Sequence, residues 1–299
     1  MNEKITVIVN PISGGRKDKT KLLKFVSDYF SQKGNRFTLK TTSRRGDATE
    51  FAQQSVQDSD DLVVVVGGDG TINEVASGLV GSEVAMGIIP LGSGNGLART
   101  LRVPQNIEKA CKLISEGDRV KIDMGKANDR FFVLVAGIGF DALVGKRFDE
   151  YHKRGPISYF YIGTKEFFLY KPERVKISFD DQSFEGEPFQ IAIANGQQYG
   201  NNAIIAPDAK LNDGLLDITI IHCISVFQLL QVLPKLFSGR LKSYHNADFY
   251  KTKSVRIERS GPGVLNVDGE PVDEKSVIEI SILPKCLKII APANSPGLV

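Results

Sequence analysis

The sequence predicts a three-layer α/β domain with a mostly parallel sheet, followed by a mainly antiparallel β region. Three observations carry that prediction. The chain has 299 residues, more than one domain commonly holds. Up to about residue 120, apolar β-branched runs alternate with amphipathic stretches. Beyond it, short strand-like runs follow one another, separated by turn residues.

In the first region, Ile5–Val9 reads as a strand ended by Asn10-Pro11, and Leu22 to Phe30 as a helix with apolar residues three and four apart. Arg36–Thr42 alternates like a strand and Ala48–Gln57 like a helix. Leu62–Val66 is apolar throughout, as in a strand buried on both faces. Gly67-Gly68-Asp69-Gly70 opens a helix over Thr71–Leu79, Val84–Pro90 is the next strand, and helices follow near Leu97–Leu101 and Ile107–Glu116. In the second region the expected strands are Val120–Met124, Phe131–Gly137, Val175–Phe179, Phe189–Ala194, Leu215–Ile221, Ser254–Ile257, Val277–Leu283 and Leu287–Ile290, with helices near 140–170 and 225–238.

Hydrophobic residues make up 41% and charged residues 24%, a globular composition that excludes a disordered or collagen-like chain. Thirty-eight Lys and Arg against 35 Asp and Glu leave a charge of +3, too little to imply nucleic acid as a partner. The three Cys lie far apart, without a C-x-x-C, which fits a reducing, cytoplasmic setting. The three His show no metal-ligand spacing. Met1 leads almost directly into a strand, so no secretory signal is expected. No apolar run approaches the ~20 residues of a membrane span.

Glycine-bearing turns follow the strands of the first region: Asn10–Gly15, Thr42 to Asp47, Gly67–Thr71 and Gly92–Gly96. Ligands of α/β sheets gather at the carboxyl ends of strands, where helix N-termini favour anions, and glycine lets main-chain amides approach a phosphate closely. Together the turns predict a phosphate cradle. Neither the P-loop pattern nor the Rossmann G-x-G-x-x-G is present.

The ordered set Asn10-Pro11-Ile12-Ser13-Gly14-Gly15, Gly46-Asp47-Ala48, Gly67-Gly68-Asp69-Gly70-Thr71-Ile72-Asn73-Glu74, Leu91-Gly92-Ser93-Gly94-Asn95, Gly137-Ile138-Gly139-Phe140-Asp141, Ala206-Pro207-Asp208, Asn212-Asp213-Gly214-Leu215-Leu216-Asp217 and Asp268-Gly269-Glu270-Pro271 resembles the diacylglycerol kinase catalytic family, which includes bacterial lipid kinases and the sphingosine and ceramide kinases. Gly-Gly-Asp-Gly alone is shared with NAD kinases and phosphofructokinases; the ordered set is far more specific.

The resemblance implies an ATP-binding α/β domain over 1–125, a β-sandwich-like lipid-acceptor domain over 126–285 across a cleft, and a tail, 286–299, returning to the first domain. It implies nucleotide contacts at Asn10, Pro11, Ser13, Gly14, Thr42, Gly68, Asp69, Gly70, Thr71, Asn73, Glu74 and Ser93. Asp69 is expected to engage Mg²⁺ through water, with capping of its helix as the plainer role. Asp268 and Glu270 are alternative proton acceptors for a lipid hydroxyl, an ordinary Asp-Gly turn being the plainer reading. Lys210 and Leu215, through carbonyls, and Asp213, through its carboxylate, are expected to hold a structural Mg²⁺; the plainer reading is a hairpin-type turn. Asp141 is expected to orient the acceptor or a hinge, or to sit at a helix N-terminus.

Aromatic residues crowd 140–170 (Phe140, Phe148, Tyr151, Tyr159, Phe160, Tyr161, Phe167, Phe168 and Tyr170) among Lys146, Arg147, Lys153 and Arg154, which suits either an acyl groove at a membrane surface or core packing. Gly96 stands where many bacterial diacylglycerol kinases carry Asp; a small residue after Gly-Ser-Gly-Asn is more similar to the sphingosine and ceramide kinases. The leading expectation is therefore a cytoplasmic kinase that moves the γ-phosphoryl group of Mg-ATP to a membrane lipid, diacylglycerol first. It would touch the membrane peripherally, with a homodimer as an option. The alternatives are a long-chain-base or ceramide kinase, an NAD kinase-like enzyme, and a catalytically idle ATP- or lipid-binding regulator.

Overall fold

The computed structural model describes residues 3–15, 19–32, 34–150, 156–292 and 294–298. The chain forms two compact units, residues 1–123 with 284–299 and residues 124–283.

The first unit contains β1 (Lys4–Val9), α1 (Thr20–Ser31), β2 (Arg36–Thr41), α2 (Asp47–Gln57), β3 (Leu62–Gly67), α3 (Asp69–Leu79), β4 (Ala85–Pro90), α4 (Gly96–Thr100) and α5 (Ile107–Glu116), and the start of β5 (Asp118–Ala127). Its parallel strands run in the order β2-β1-β3-β4, and the end of the last strand of the chain adds Lys288 and Ile289 beside Ala85 and Met86 of β4. β3 and β4 are buried at every position, which is why they read as unbroken apolar runs. Leu22, Val26 and Phe30 of α1 and Ile114 of α5 pack on Val7, Val64 and Ile89. The order reverses direction between β1 and β3. That is the switch point beside which open α/β sheets bind ligands.

The second unit holds the end of β5, β6 (Arg130–Phe132), β7 (Val135–Gly139), α6 (Phe140–Glu150), α7 (Pro156–Leu169), β8 (Val175–Phe179), β9 (Gln182–Gly186), β10 (Gln190–Ala194), β11 (Leu216–Ile221), α8 (Val226–Ser238), β12 (Ala247–Thr252), β13 (Ser254–Arg259), β14 (Gly263–Val267), β15 (Glu270–Glu274) and most of β16 (Val277–Ala291). One antiparallel sheet has six strands in the order β12-β11-β10-β7-β14-β15, and β16-β13-β8-β9, with β5 paired to β16 and β6 to β5, makes up the facing layer. Ile177, Ile257 and Ile280 of one sheet and Ile191, Ile193, Ile218 and Leu265 of the other share one core, a sandwich.

Four expectations are corrected. Phe131–Gly137 is two strands, because Val133 and Leu134 turn their amides to Asp268. Val277–Leu283 and Leu287–Ile290 are one strand; Lys285, at φ 49°, absorbs the irregularity beside Pro284, and its N–H donates to Asp123 Oδ1 at 2.6 Å. Asn212–Gly214 is no hairpin, since the strands β10 and β11 that flank it are joined by all of 195–215. β9, β12, β14 and β15 have no counterpart among the expected strands; their mixed burial gives no clear apolar alternation.

Gly125 faces Phe132 directly across β5 and β6, and a Cβ there would lie 1.9 Å from Phe132 Cζ. Gly125→Ala is expected to destabilise the second unit by about 3 kcal/mol through forced repacking of a buried ring. Urea unfolding monitored by circular dichroism measures this, and an unchanged midpoint contradicts it.

Candidate functional site

In the first unit, the turns after β1, β2, β3 and β4 are hydrogen-bonded to one another. The N–H of Asn10 donates to Val66 O at 3.0 Å, and its side-chain amide donates to Thr71 Oγ1 at 2.9 Å. Its Oδ1 accepts the N–H of Ile12, which bends the turn after β1. Gly14 is left-handed, at φ 75°, and a Cβ there would lie 2.5 Å from Leu91 O. A Cβ on Gly92 would lie 2.7 Å from Gly68 Cα, so the turns after β3 and β4 meet main chain to main chain.

Asp69 is the first residue of α3, and Gly68 holds the cap position, so the helix-capping reading of Asp69 is corrected. Its carboxylate instead reaches the next turn: Oδ2 accepts the N–H of Asn95 at 2.8 Å and Oδ1 that of Gly96 at 2.6 Å. Burial pushes its pKa above the usual carboxylate range, against the pull of these amides. Glu74 braces α3 to α2, accepting the N–H groups of Gly46 at 3.0 Å and Ala48 at 3.2 Å. The buried Thr42 directs its hydroxyl at Val9 O, and Asn73 Oδ1 accepts from Ser77. Pro11 and Ser93 are exposed, Ser13 and Gly70 half-exposed.

Two residues of this region are missing from the expected contacts. Lys19 is buried, its ammonium donates to Asn10 O at 2.8 Å, and burial lowers its pKa. A cation set close after a glycine turn was the available signal. Asp47 closes the turn after β2 by accepting from Ser43 N at 2.7 Å, Ser43 Oγ and Arg44 N, which lowers its pKa.

In the second unit, Val267 pairs with Glu270, so Asp268-Gly269 is a two-residue hairpin turn with φ of 48° and 87°. The Asp268 carboxylate accepts the N–H groups of Val133 at 2.6 Å and of Leu134 and Val135 at 2.9 Å. Asp268 therefore holds the break between β6 and β7, and Glu270 opens β15, half-buried.

Asp141 lies at the start of α6 and is buried. A Cβ on Gly137 would come within 2.5 Å of its Oδ2, so glycine makes its room. It accepts from Ala142 N at 2.8 Å and from Asn266 Nδ2 at 3.2 Å, yet burial dominates and pushes its pKa up to about 6. Asn266 Oδ1 is buried without a hydrogen-bond partner, which suits a neutral acid that can donate after an amide flip. Because the folded-state pKa is raised, this stabilisation is complete below about pH 4 and is lost as the pH rises through 6. About 3 kcal/mol is expected to disappear over that window, and Asp141→Asn should abolish the dependence. Denaturant unfolding between pH 4 and 7 checks it; equal slopes for both proteins would refute it.

Asp213 does not present an open metal site. Its Oδ1 accepts the N–H of Leu215 at 3.1 Å. Its Oδ2 lies 3.1 Å from the Lys251 ammonium, which also reaches Asp217 Oδ2 at 2.9 Å and Asp208 O at 3.3 Å. Lys251 faces Asp217 across β11 and β12, so the sheet register puts a cation there already. The Lys251 ammonium on Asp213 Oδ2 does not fit a resident divalent ion at that carboxylate, even with the expected carbonyls of Lys210 and Leu215 as further ligands. Among the described residues, no three His, Cys, Asp or Glu side chains group to hold a metal.

The aromatic stretch divides. Phe140, Phe167, Tyr170 and Phe189 pack ring against ring, with Phe140 and Phe189 stacked at 4.6 Å, as core packing predicts. Tyr161 and Phe168 are exposed. Tyr151, Lys153, Arg154 and the side chains of Tyr159 and Phe160 lie outside the described residues.

Residues 4–127 match the diacylglycerol kinase catalytic domain, and residues 134–291 match the YegS C-terminal NAD kinase beta sandwich-like domain. A relative in Klebsiella pneumoniae named "Probable lipid kinase YegS-like" is 33% identical over 87% of this chain and 88% of its own. One in Escherichia coli named "Probable lipid kinase YegS" is 31% identical over 89% and 90%. A solved diacylglycerol kinase structure from Bacillus anthracis superimposes with a TM-score of 0.71 at 26% identity, covering 98% of both chains. No helix among the described residues is long and apolar enough to cross a membrane. With both domain models matched in order over almost its full length, the chain belongs to the lipid kinase family built on the diacylglycerol kinase catalytic domain.

Proposed function

We propose that this enzyme transfers the γ-phosphoryl group of Mg-ATP to the hydroxyl of a membrane lipid, with diacylglycerol as the leading acceptor. The observation that carries the reading is the block of mutually bonded turns at the carboxyl ends of β1 to β4, above all the contact between Gly68 and Gly92. Bare main-chain amides there bind the polyphosphate, with Asn10, Pro11, Ser13, Gly14, Thr42, Gly70, Thr71 and Asn73 shaping its bed. Asp69, Glu74 and Asn10 act chiefly by fixing these turns, so little rearrangement is needed when phosphate arrives. Ser93, exposed on the last turn, is a hydroxyl donor to phosphate.

Asp69, each of whose oxygens already accepts an amide, would engage Mg²⁺ through water, and the ion bound with the nucleotide would neutralise charge on its phosphates. Glu270 is the acceptor of the lipid hydroxyl's proton. Asp268 is its positioning residue, because both Asp268 oxygens already serve amides of the 133–135 turn. No divalent ion is assigned to Asp213.

Gly96 uses its amide to bind Asp69, so the departure from the bacterial pattern is compatible with an ordered turn. It leaves sphingosine, ceramide and other acylglycerols as second-rank acceptors. Labelled ATP with a panel of these lipids in mixed micelles tests the reading. Product is expected with diacylglycerol at rates at least tenfold above the others; absence of product from every lipid would overturn it.

A further inference from the structure

We infer that α8 is an interfacial anchor that seats the second unit on an anionic lipid surface; the inference rests on the lipid-kinase reading and adds where this chain meets its substrate's bilayer. The helix is apolar on two faces. Val232 is buried on one. On the other, Phe227 is 79% exposed, Leu230 67% and Phe237 54%, and Val226 and Pro234 are exposed too. At 100° per residue, Val226, Phe227, Leu230, Pro234 and Phe237 fall within an arc of about 100°. Two exposed phenylalanines and a leucine in one stripe are costly in water and find no cover among the described residues.

The surrounding charge selects the occupant. Between Ile221 and Ala247 there is no Asp or Glu; Lys242 pairs with Asp208, so the charge offered to a surface is that of Lys235 and Arg240. The Lys235 ammonium reaches Ser243 just past the helix end, and Gly239 closes the helix left-handed at φ 70°, so the exposed Arg240 follows directly on the helix. Apolar residues that enter the acyl boundary beside cations that meet phosphate headgroups are the two components of interfacial helix binding. The helix has 13 residues, so it lies in the interface and does not span. A capping box, Ser225 with Gln228, fixes its start without a carboxylate, which would be repelled by such a surface.

The experiment uses the full chain with vesicles of phosphatidylcholine containing phosphatidylglycerol. The wild type is expected to co-sediment with them, less so with pure phosphatidylcholine or at high salt. The Phe227→Ser/Leu230→Ser/Phe237→Ser variant is expected to bind about tenfold more weakly, while turnover of a short-chain diacylglycerol dispersed without vesicles stays unchanged. The chain has no Trp, so Phe227→Trp supplies a single indole reporter whose emission should shift to the blue on anionic vesicles even if the triple variant fails to fold. Equal vesicle binding by variant and wild type, or an indole emission that anionic vesicles leave in place, overturns the anchor. So does a wild-type dimer that the triple variant breaks while vesicle binding is untouched, which would assign the stripe to a second copy of the chain. Loss of all lipid phosphorylation with vesicle binding intact would instead overturn the kinase reading and leave the anchor standing.

Discussion

Asp69→Asn is expected to lower kcat/KM by a factor of 10² to 10³, equivalent to about 3–4 kcal/mol of lost transition-state stabilisation. The carboxylate accepts two amides, one with each oxygen, from Asn95 and Gly96. An asparagine offers one acceptor and one donor, so one of these amides would face an N–H₂ group in a buried setting. Such a mismatch costs about 1–3 kcal/mol locally. The turn 91–96 carries Ser93 and packs Gly92 against Gly68, so displacing it spoils the bed for phosphate. Turnover with varied ATP should show the loss in both kcat and KM, with a melting temperature only a few degrees lower. Activity within about threefold of wild type would contradict the role assigned to this carboxylate.

Asp268→Asn and Glu270→Gln are expected to part company. Asp268 serves three amides through a charged acceptor, and charge-assisted bonds of this kind are about twice as strong as neutral ones. Asparagine tolerates the turn's φ of 48°, so the hairpin itself survives, but the Val133 amide would meet a donor. A loss of about 2–3 kcal/mol in stability is expected, with reduced activity as a consequence. Glu270→Gln should keep stability within about 1 kcal/mol and cost at least 10² in turnover, the range for removing a general base. Urea unfolding and single-turnover phosphorylation of the same samples separate the two. A stable but inactive Asp268→Asn beside an active Glu270→Gln would move the proton acceptor to Asp268, and a wild type that binds ATP without turning it over would favour the idle regulator.

The α/β unit was legible from local pattern because its central strands are buried on both faces and so cannot be anything but apolar runs, as β3 and β4 show. The second unit was legible only in part. β15, Glu-Pro-Val-Asp-Glu, is partly exposed along its length, and β9 is polar, so neither carries a clear alternation. Asp268-Gly269, a strong short signal for a two-residue turn, stands between β14 and β15, yet neither strand was expected. β6 and β7 read as one strand because nothing near Val133 marks a break; the carboxylate that makes it lies 135 residues away.

The sequence alone determined where main chain is bare: glycine turns placed after strands, an Asp-Gly turn late in the chain, and a stretch free of acids around 225–246. Those features depend on neighbouring residues, and local spacing records them. Tertiary structure decided what each charged side chain does. It turned Asp69 toward the turn after β4, Glu74 toward α2, Asp268 toward the β6–β7 break and Lys251 onto Asp213 and Asp217. A carboxylate or an ammonium takes whichever partner folding brings within about 3 Å, and partners 26 to 135 residues distant leave no trace in local composition.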